Sequence, residues 1–166
     1  MRKPKNMKTP FCFLIFTMLL TAIPGFAQVD PVDAKGLALG GYDVVAYFSN
    51  AAVKGQAEHQ TTFKGVTYYF SSGANKRAFD AAPEKYLPQY EGFCALAVSY
   101  GKKISVDPAT FKVKDGKLYL FFHGKTSRGR VNSLEAWEKD EARLQKKADG
   151  LWPDVKKKKY KPEDSL

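Results

Sequence analysis

The residues able to do chemistry in this chain are few and far apart. The 166 residues hold two cysteines and two histidines. Cys12 falls inside an N-terminal apolar run, which leaves one thiol, Cys94, and two imidazoles, His59 and His123. A thiolate with one or two imidazoles is a donor set for copper or zinc. The same cysteine beside an imidazole base would be a nucleophile or redox thiol, which needs an exposed, ionisable sulfur. Cys94 stands instead among Phe93, Ala95, Leu96 and Val98, neighbours of the kind that keep a thiol inert. The chain also has no Cys-x-x-Cys, no nucleophile elbow and no carboxylate pair at a telling spacing. No catalytic residue is expected, and the reading is non-enzymatic.

Whether any disulfide is available depends on the N-terminus. Arg2, Lys3, Lys5 and Lys8 precede an apolar run from Phe11 to about Ile23, which ends at Pro24-Gly25-Phe26-Ala27. Basic flank, short apolar stretch and small residues at −3 and −1 are the pattern of a cleavable secretory signal over residues 1–27. The run is too short for a membrane span. The mature chain then has no transmembrane segment, is secreted or periplasmic, and keeps 23 basic against 17 acidic residues. Its lone cysteine has no partner for an internal disulfide.

The elements that must position these residues follow from turn and breaker signals. Residues 28–39 read as an extended lead-in, followed by Gly40-Gly41 and the apolar run Tyr42–Phe48. Lys64-Gly65 joins strands Glu58–Phe63 and Val66–Ser71 as a two-residue hairpin. In simple alternation Phe63 opposes Val66, Thr61 opposes Tyr68 and His59 opposes Phe70, which turns His59 inward. Ser72 caps a helix to about Ala81, and residues 92–101 form a short buried helix carrying Cys94. Asp115-Gly116 marks a second hairpin with Leu118, Leu120 and Phe122 inward; Tyr119, Phe121 and His123 fall on a wetter, lysine-bearing face. A helix follows from Ser127 or Asn132 to about Lys147 and stops at Gly150, with Trp152-Pro153 folding back. The run Lys156–Lys161 lies in a basic, disordered tail over 154–166, a solvated terminus or, in an exported protein, a surface for an anionic partner rather than nucleic acid. The fold class is α+β: a small antiparallel sheet from two β-hairpins, packed by short helices and a longer C-terminal helix.

The first hairpin and its sequel carry a resemblance. Phe63-Lys64-Gly65-Val66-Thr67-Tyr68-Tyr69-Phe70-Ser71-Ser72, with Phe79, Pro83 and Tyr86, resembles the YHS domain family. Pro88–Ala95, Trp137-Glu138-Lys139-Asp140, Ala148 and Trp152 are similar to an exported bacterial branch of it, so that the resemblance spans roughly residues 40–153. The resemblance implies a module that binds a soft transition metal such as copper or zinc through cysteines. The corresponding positions here are Ala46, Ser71 and Asn75, none of which supplies a thiolate. The expected metal ligands are therefore a replacement pair, Cys94 and His59, brought together inside one core. The alternatives are a satisfied core histidine with a buried structural thiol, and a metal-free module whose aromatic residues line a cleft for a small ligand or a protein partner.

Overall fold

A computed structural model describes residues 28–127 and 129–162, so the expected signal segment lies outside the described residues. The chain opens with single 3-10 turns at Leu39–Gly41 and Ala46–Ser49. Strands β1 (Gln56–Phe63) and β2 (Val66–Phe70) form the first hairpin. Helices α1 (Gly73–Ala81), α2 (Pro83–Tyr86) and α3 (Ala95–Val98) follow. Then come β3 (Asp107–Lys114), β4 (Lys117–Phe121), β5 (His123–Thr126) and β6 (Gly129–Asn132), and last α4 (Ser133–Glu138) and α5 (Glu141–Lys157). The class is α+β, as expected, but the strands form three separate antiparallel pairs, β1–β2, β3–β4 and β5–β6.

Both expected hairpin turns are present. Lys64 and Gly65 take φ of 50° and 80°, and Asp115 and Gly116 take 50° and 70°. These are left-handed pairs, the turn geometry whose twist matches that of the flanking strands. Ser72 accepts from the Asn75 N–H and so caps α1, again as expected.

The β3–β4 hairpin divides the interior. Alternation sends Leu118 and Leu120 into one core with Phe70, Phe79 and Cys94. It sends Tyr119 and Phe121 into a second core with Trp137, Leu144, Ala148 and Val155. That second face, expected to be wetter, is instead roofed by α4 and α5. The lysines on it suit the arrangement: Lys112 reaches Glu138 and Glu141 at 3.0 and 3.2 Å, and Lys114 reaches Glu141 at 3.2 Å. Their ammonium groups pair with the roof while the apolar residues between them pack beneath it.

The C-terminal expectation also needs correction. A break separates α4 from α5 at Lys139-Asp140, and α5 runs on through Gly150 and Pro153 to Lys157. An internal proline costs a helix about 3 kcal/mol. Burial of Val155 beyond it, the Tyr90–Trp152 ring contact at 5.7 Å and the Tyr90 hydroxyl donating to Asp149 at 2.8 Å offset that cost. The start of the expected tail is docked as well. The Tyr160 hydroxyl donates to Asp30 at 2.5 Å, and its ring meets Phe93 edge-on at 4.9 Å. The lead-in is likewise integrated: Val29 pairs with Val106, Leu37 pairs with Thr67, and Ala38 and Leu39 are buried in the first core.

No helix among the described residues is long and apolar enough to cross a membrane.

Candidate functional site

The two expected metal ligands have different surroundings. Cys94, 1 % exposed, precedes α3 against the bend between β4 and β5. Its sulfur accepts from the Phe122 N–H at 3.4 Å and lies 3.3 Å from Ser133 Oγ. Ser133 in turn donates to the Phe122 carbonyl at 2.8 Å. With the serine proton committed to that carbonyl, the thiol donates to Ser133, and the three groups close a ring of hydrogen bonds. The sulfur thus joins the start of α3, the bend between β4 and β5, and α4 as a satisfied buried group.

His59 is not opposite Phe70. Register holds from Phe63↔Val66 to Gln60↔Tyr69, then jumps to Gln56↔Phe70, so residues 57–59 bulge out of the ladder. Gly55 accounts for the jump. A Cβ there would lie 2.3 Å from the Tyr69 carbonyl carbon, so only glycine lets the incoming chain press this closely on β2. The bulge leaves His59 half-buried, its Cε1 3.8 Å from where a Cβ on Gly73 would stand at the start of α1. The sulfur of Cys94 bonds to Phe122, between β4 and β5, and to Ser133 of α4, whereas His59 stands beside the start of α1. His123 opens β5, its Nδ1 3.9 Å from the buried carboxylate of Asp107. Among the described residues, no three of His, Cys, Asp and Glu gather where they could hold a metal ion.

The three positions at which the resemblance implies metal ligands converge on one carboxylate, that of Asp43. Asp43 is fully buried. One carboxylate oxygen accepts from the Val45 and Ala46 N–H groups at 2.9 and 3.3 Å. The other accepts from the Ser71 N–H at 2.8 Å, the Ser71 hydroxyl at 2.7 Å and the Asn75 amide at 2.7 Å. Ala46, Ser71 and Asn75 therefore supply four hydrogen-bond donors and Val45 a fifth, and a carboxylate saturated by these five offers no ligand to a cation. This donor set does not fit a soft metal. The available signal was one acidic residue inside the apolar run 42–48, since such a charge is either exposed or fully paired.

The concave feature of this face is a cleft of about 600 Å³ between β1–β2, the lead-in, the loop after α2 and the docked tail. Leu39, Phe63, Val66, Leu87 and Phe93 supply apolar wall, and Lys103, Lys156 and Glu91 supply charge. Tyr68 also lines it, at 8 % exposure, and its hydroxyl finds no hydrogen-bond partner among the described residues. Burial, with the charges of Glu84 and Glu91, pushes that phenol up to about 12. It is thus a neutral donor at physiological pH, facing a space of ligand size.

Residues 45–90 match the sequence model of the YHS domain family. That segment contains Ala46, Ser71, Asn75 and Tyr68, whereas Asp43 and Cys94 fall outside it. No curated protein and no solved structure matches the chain.

Proposed function

We propose, taking the YHS-domain match over residues 45–90 as premise, that this is an exported, non-enzymatic binding module that works through its apolar cleft rather than through a soft metal. The observation that carries the reading is the cleft itself, about 600 Å³ and walled by Leu39, Phe63, Val66, Leu87 and Phe93, with the Tyr68 phenol on its lining. A space of that size with apolar walls and a phenol donor among them suits a small ligand, whose polar group the Tyr68 hydroxyl can bond. The metal-free reading is further supported by the saturated Asp43 carboxylate and the closed ring around Cys94, which leave copper or zinc no donor set at either place.

Two measurements test this. Export predicts that the protein recovered from the periplasm or medium begins at Gln28. Dye displacement tests the cleft: 1-anilinonaphthalene-8-sulfonate should bind at one saturable site and be lost in Val66→Trp, which fills the cavity. Stoichiometric copper or zinc in the purified protein, retained through dialysis and lost in Cys94→Ala or His59→Ala, would replace this reading with the metal one.

A further inference from the structure

The charges around the cleft are not evenly compensated. Lys64 and Lys156, on its lining, pair with Glu84 and Glu91 at 2.7 and 2.8 Å, and nearby Lys157 pairs with Asp154. Lys103 and Tyr160 line the cleft and also an adjoining groove of about 410 Å³, whose wall includes Lys102, Lys158, Lys159 and Lys161. Among the described residues none of Lys102, Lys103, Lys158, Lys159 and Lys161 makes an ion pair.

Two of these lysines are held in place by neutral groups. Lys103 Nζ donates to the Lys156 and Lys158 carbonyls, each at 2.9 Å, and Lys158 Nζ donates to the Gly101 carbonyl at 2.8 Å. These bonds staple the loop after α3 to the end of α5. They orient the ammonium groups without cancelling their charge, and each keeps donors to spare. Docking of Tyr160 on Asp30 and Phe93 holds the neighbouring Lys161 against the same mouth. An apolar cavity therefore opens beside a cluster of lysines that have no acidic partner among the described residues. Its apolar surface is concave, unlike the exposed apolar face of a helix that lies on a membrane, so an apolar ligand enters it as a single molecule.

We propose that the cleft takes a free single-chain anionic amphiphile, its apolar chain against Leu39, Val66 and Phe93 and its head group against Lys103 and the lysines of the adjoining groove. This rests on the cleft reading above. The charge complement selects for the anion, and the Tyr68 hydroxyl offers a hydrogen bond inside the apolar wall.

The test compares decanoate with 1-decanol, of equal chain length and different charge, by displacement of the dye from the whole exported protein. Decanoate should bind about tenfold more tightly at low salt, and the advantage should shrink as salt screens it. The surface variant Lys159→Gln/Lys161→Gln, which leaves the bonds of Lys103 and Lys158 in place, should reduce that advantage and leave 1-decanol unchanged. Val66→Trp, or Val32→Trp at the exposed rim, should abolish binding of both. Equal affinity for the two ligands, or an unaltered preference in the lysine variant, overturns this inference and leaves the cleft reading standing. No saturable binding of either ligand overturns both. Adsorption to vesicles containing phosphatidylglycerol that persists in a folded cleft-filling variant assigns the lysines to a membrane and also overturns it.

Discussion

Replacing Asp43 by alanine strips the acceptor from five donors contributed by the 43–46 loop, the end of β2 and α1. The carboxylate joins three segments far apart in sequence, so its loss is more than local. Hydrogen bonds to a charged group contribute about 1.5–3 kcal/mol each, and a buried donor left unpaired costs about 1–3 kcal/mol. Ser71 and Asn75 are half-buried and can turn partly to water, whereas the Ala46 N–H is buried and cannot. The burial cost of the carboxylate itself is recovered on its removal. Setting these against each other gives a net loss of about 3–5 kcal/mol for Asp43→Ala, the range seen when one partner of a buried charged network is deleted. Against a typical domain stability of about 5–15 kcal/mol, that is a large fraction. Asp43→Asn keeps one acceptor but turns an amide N–H₂ toward existing donors, and should cost about 2 kcal/mol. Urea denaturation followed by Trp137 and Trp152 fluorescence and by far-ultraviolet circular dichroism reads the midpoint and slope. A wild-type midpoint that is unmoved by chelator, with Asp43→Ala shifted to lower urea at an unchanged slope, is the expected result. A change below about 1 kcal/mol in Asp43→Ala, or a wild-type midpoint lowered by chelator, would refute the view that hydrogen bonds replace a metal here.

Three further outcomes follow from the buried groups. Cys94 should resist Ellman's reagent in the folded protein and react fully only in denaturant; rapid labelling without denaturant would restore it as a reactive thiol. Tyr47, Tyr68, Tyr90 and Tyr119 have phenols raised above the ordinary 10.0 chiefly by burial, Tyr68 and Tyr119 to about 12. Their raised values make the fold bind these protons more tightly than the unfolded chain does. Stability from this source is complete below pH 10 and is lost as pH rises toward 12 and beyond. Absorbance at 295 nm should therefore show part of the tyrosine signal emerging only with alkaline unfolding, and smooth titration of every tyrosine near 10 in folded protein would contradict the burial. Burial works to raise the Glu141 carboxyl, but the bonds from Lys114, Trp137 and Lys112 together hold it below its ordinary 4.5. Its contribution is present above that value and lost as pH falls through the lower, folded one. Glu141→Gln should cost about 2 kcal/mol near neutrality, with the gap to wild type closing in acid; a gap that persists at about pH 2 would show that packing alone is responsible.

Local signals settled whatever depends on neighbours in sequence. Lys64-Gly65 and Asp115-Gly116 specify left-handed two-residue turns because the backbone twist of a hairpin demands them, and both stand where they were read. Ser72 caps α1 for an equally local reason, its oxygen reaching an N–H three residues on. Alternation assigned Leu118 and Leu120 to one face of β4 and Tyr119 and Phe121 to the other, but could not say that the second face has a roof. Burial of a face depends on what packs against it, and here that is α5, carried past Gly150 and Pro153 by tertiary contacts worth more than the breaker costs. The position of His59 turned on the close approach of Gly55 to β2, which created a bulge that the turn-derived register does not contain. The same limit applies to the candidate sites. Composition, the hairpin register and the family resemblance together made Cys94 and His59 the conspicuous residues, but none of these knows the partners of a side chain. Only the fold brought Asp43 under Ser71 and Asn75, closed the hydrogen-bond ring around Cys94, and set the lysines of the chain's end beside an apolar cleft. Each of these joins segments distant in sequence, and the energy of such contacts exists only once the chain has brought them together.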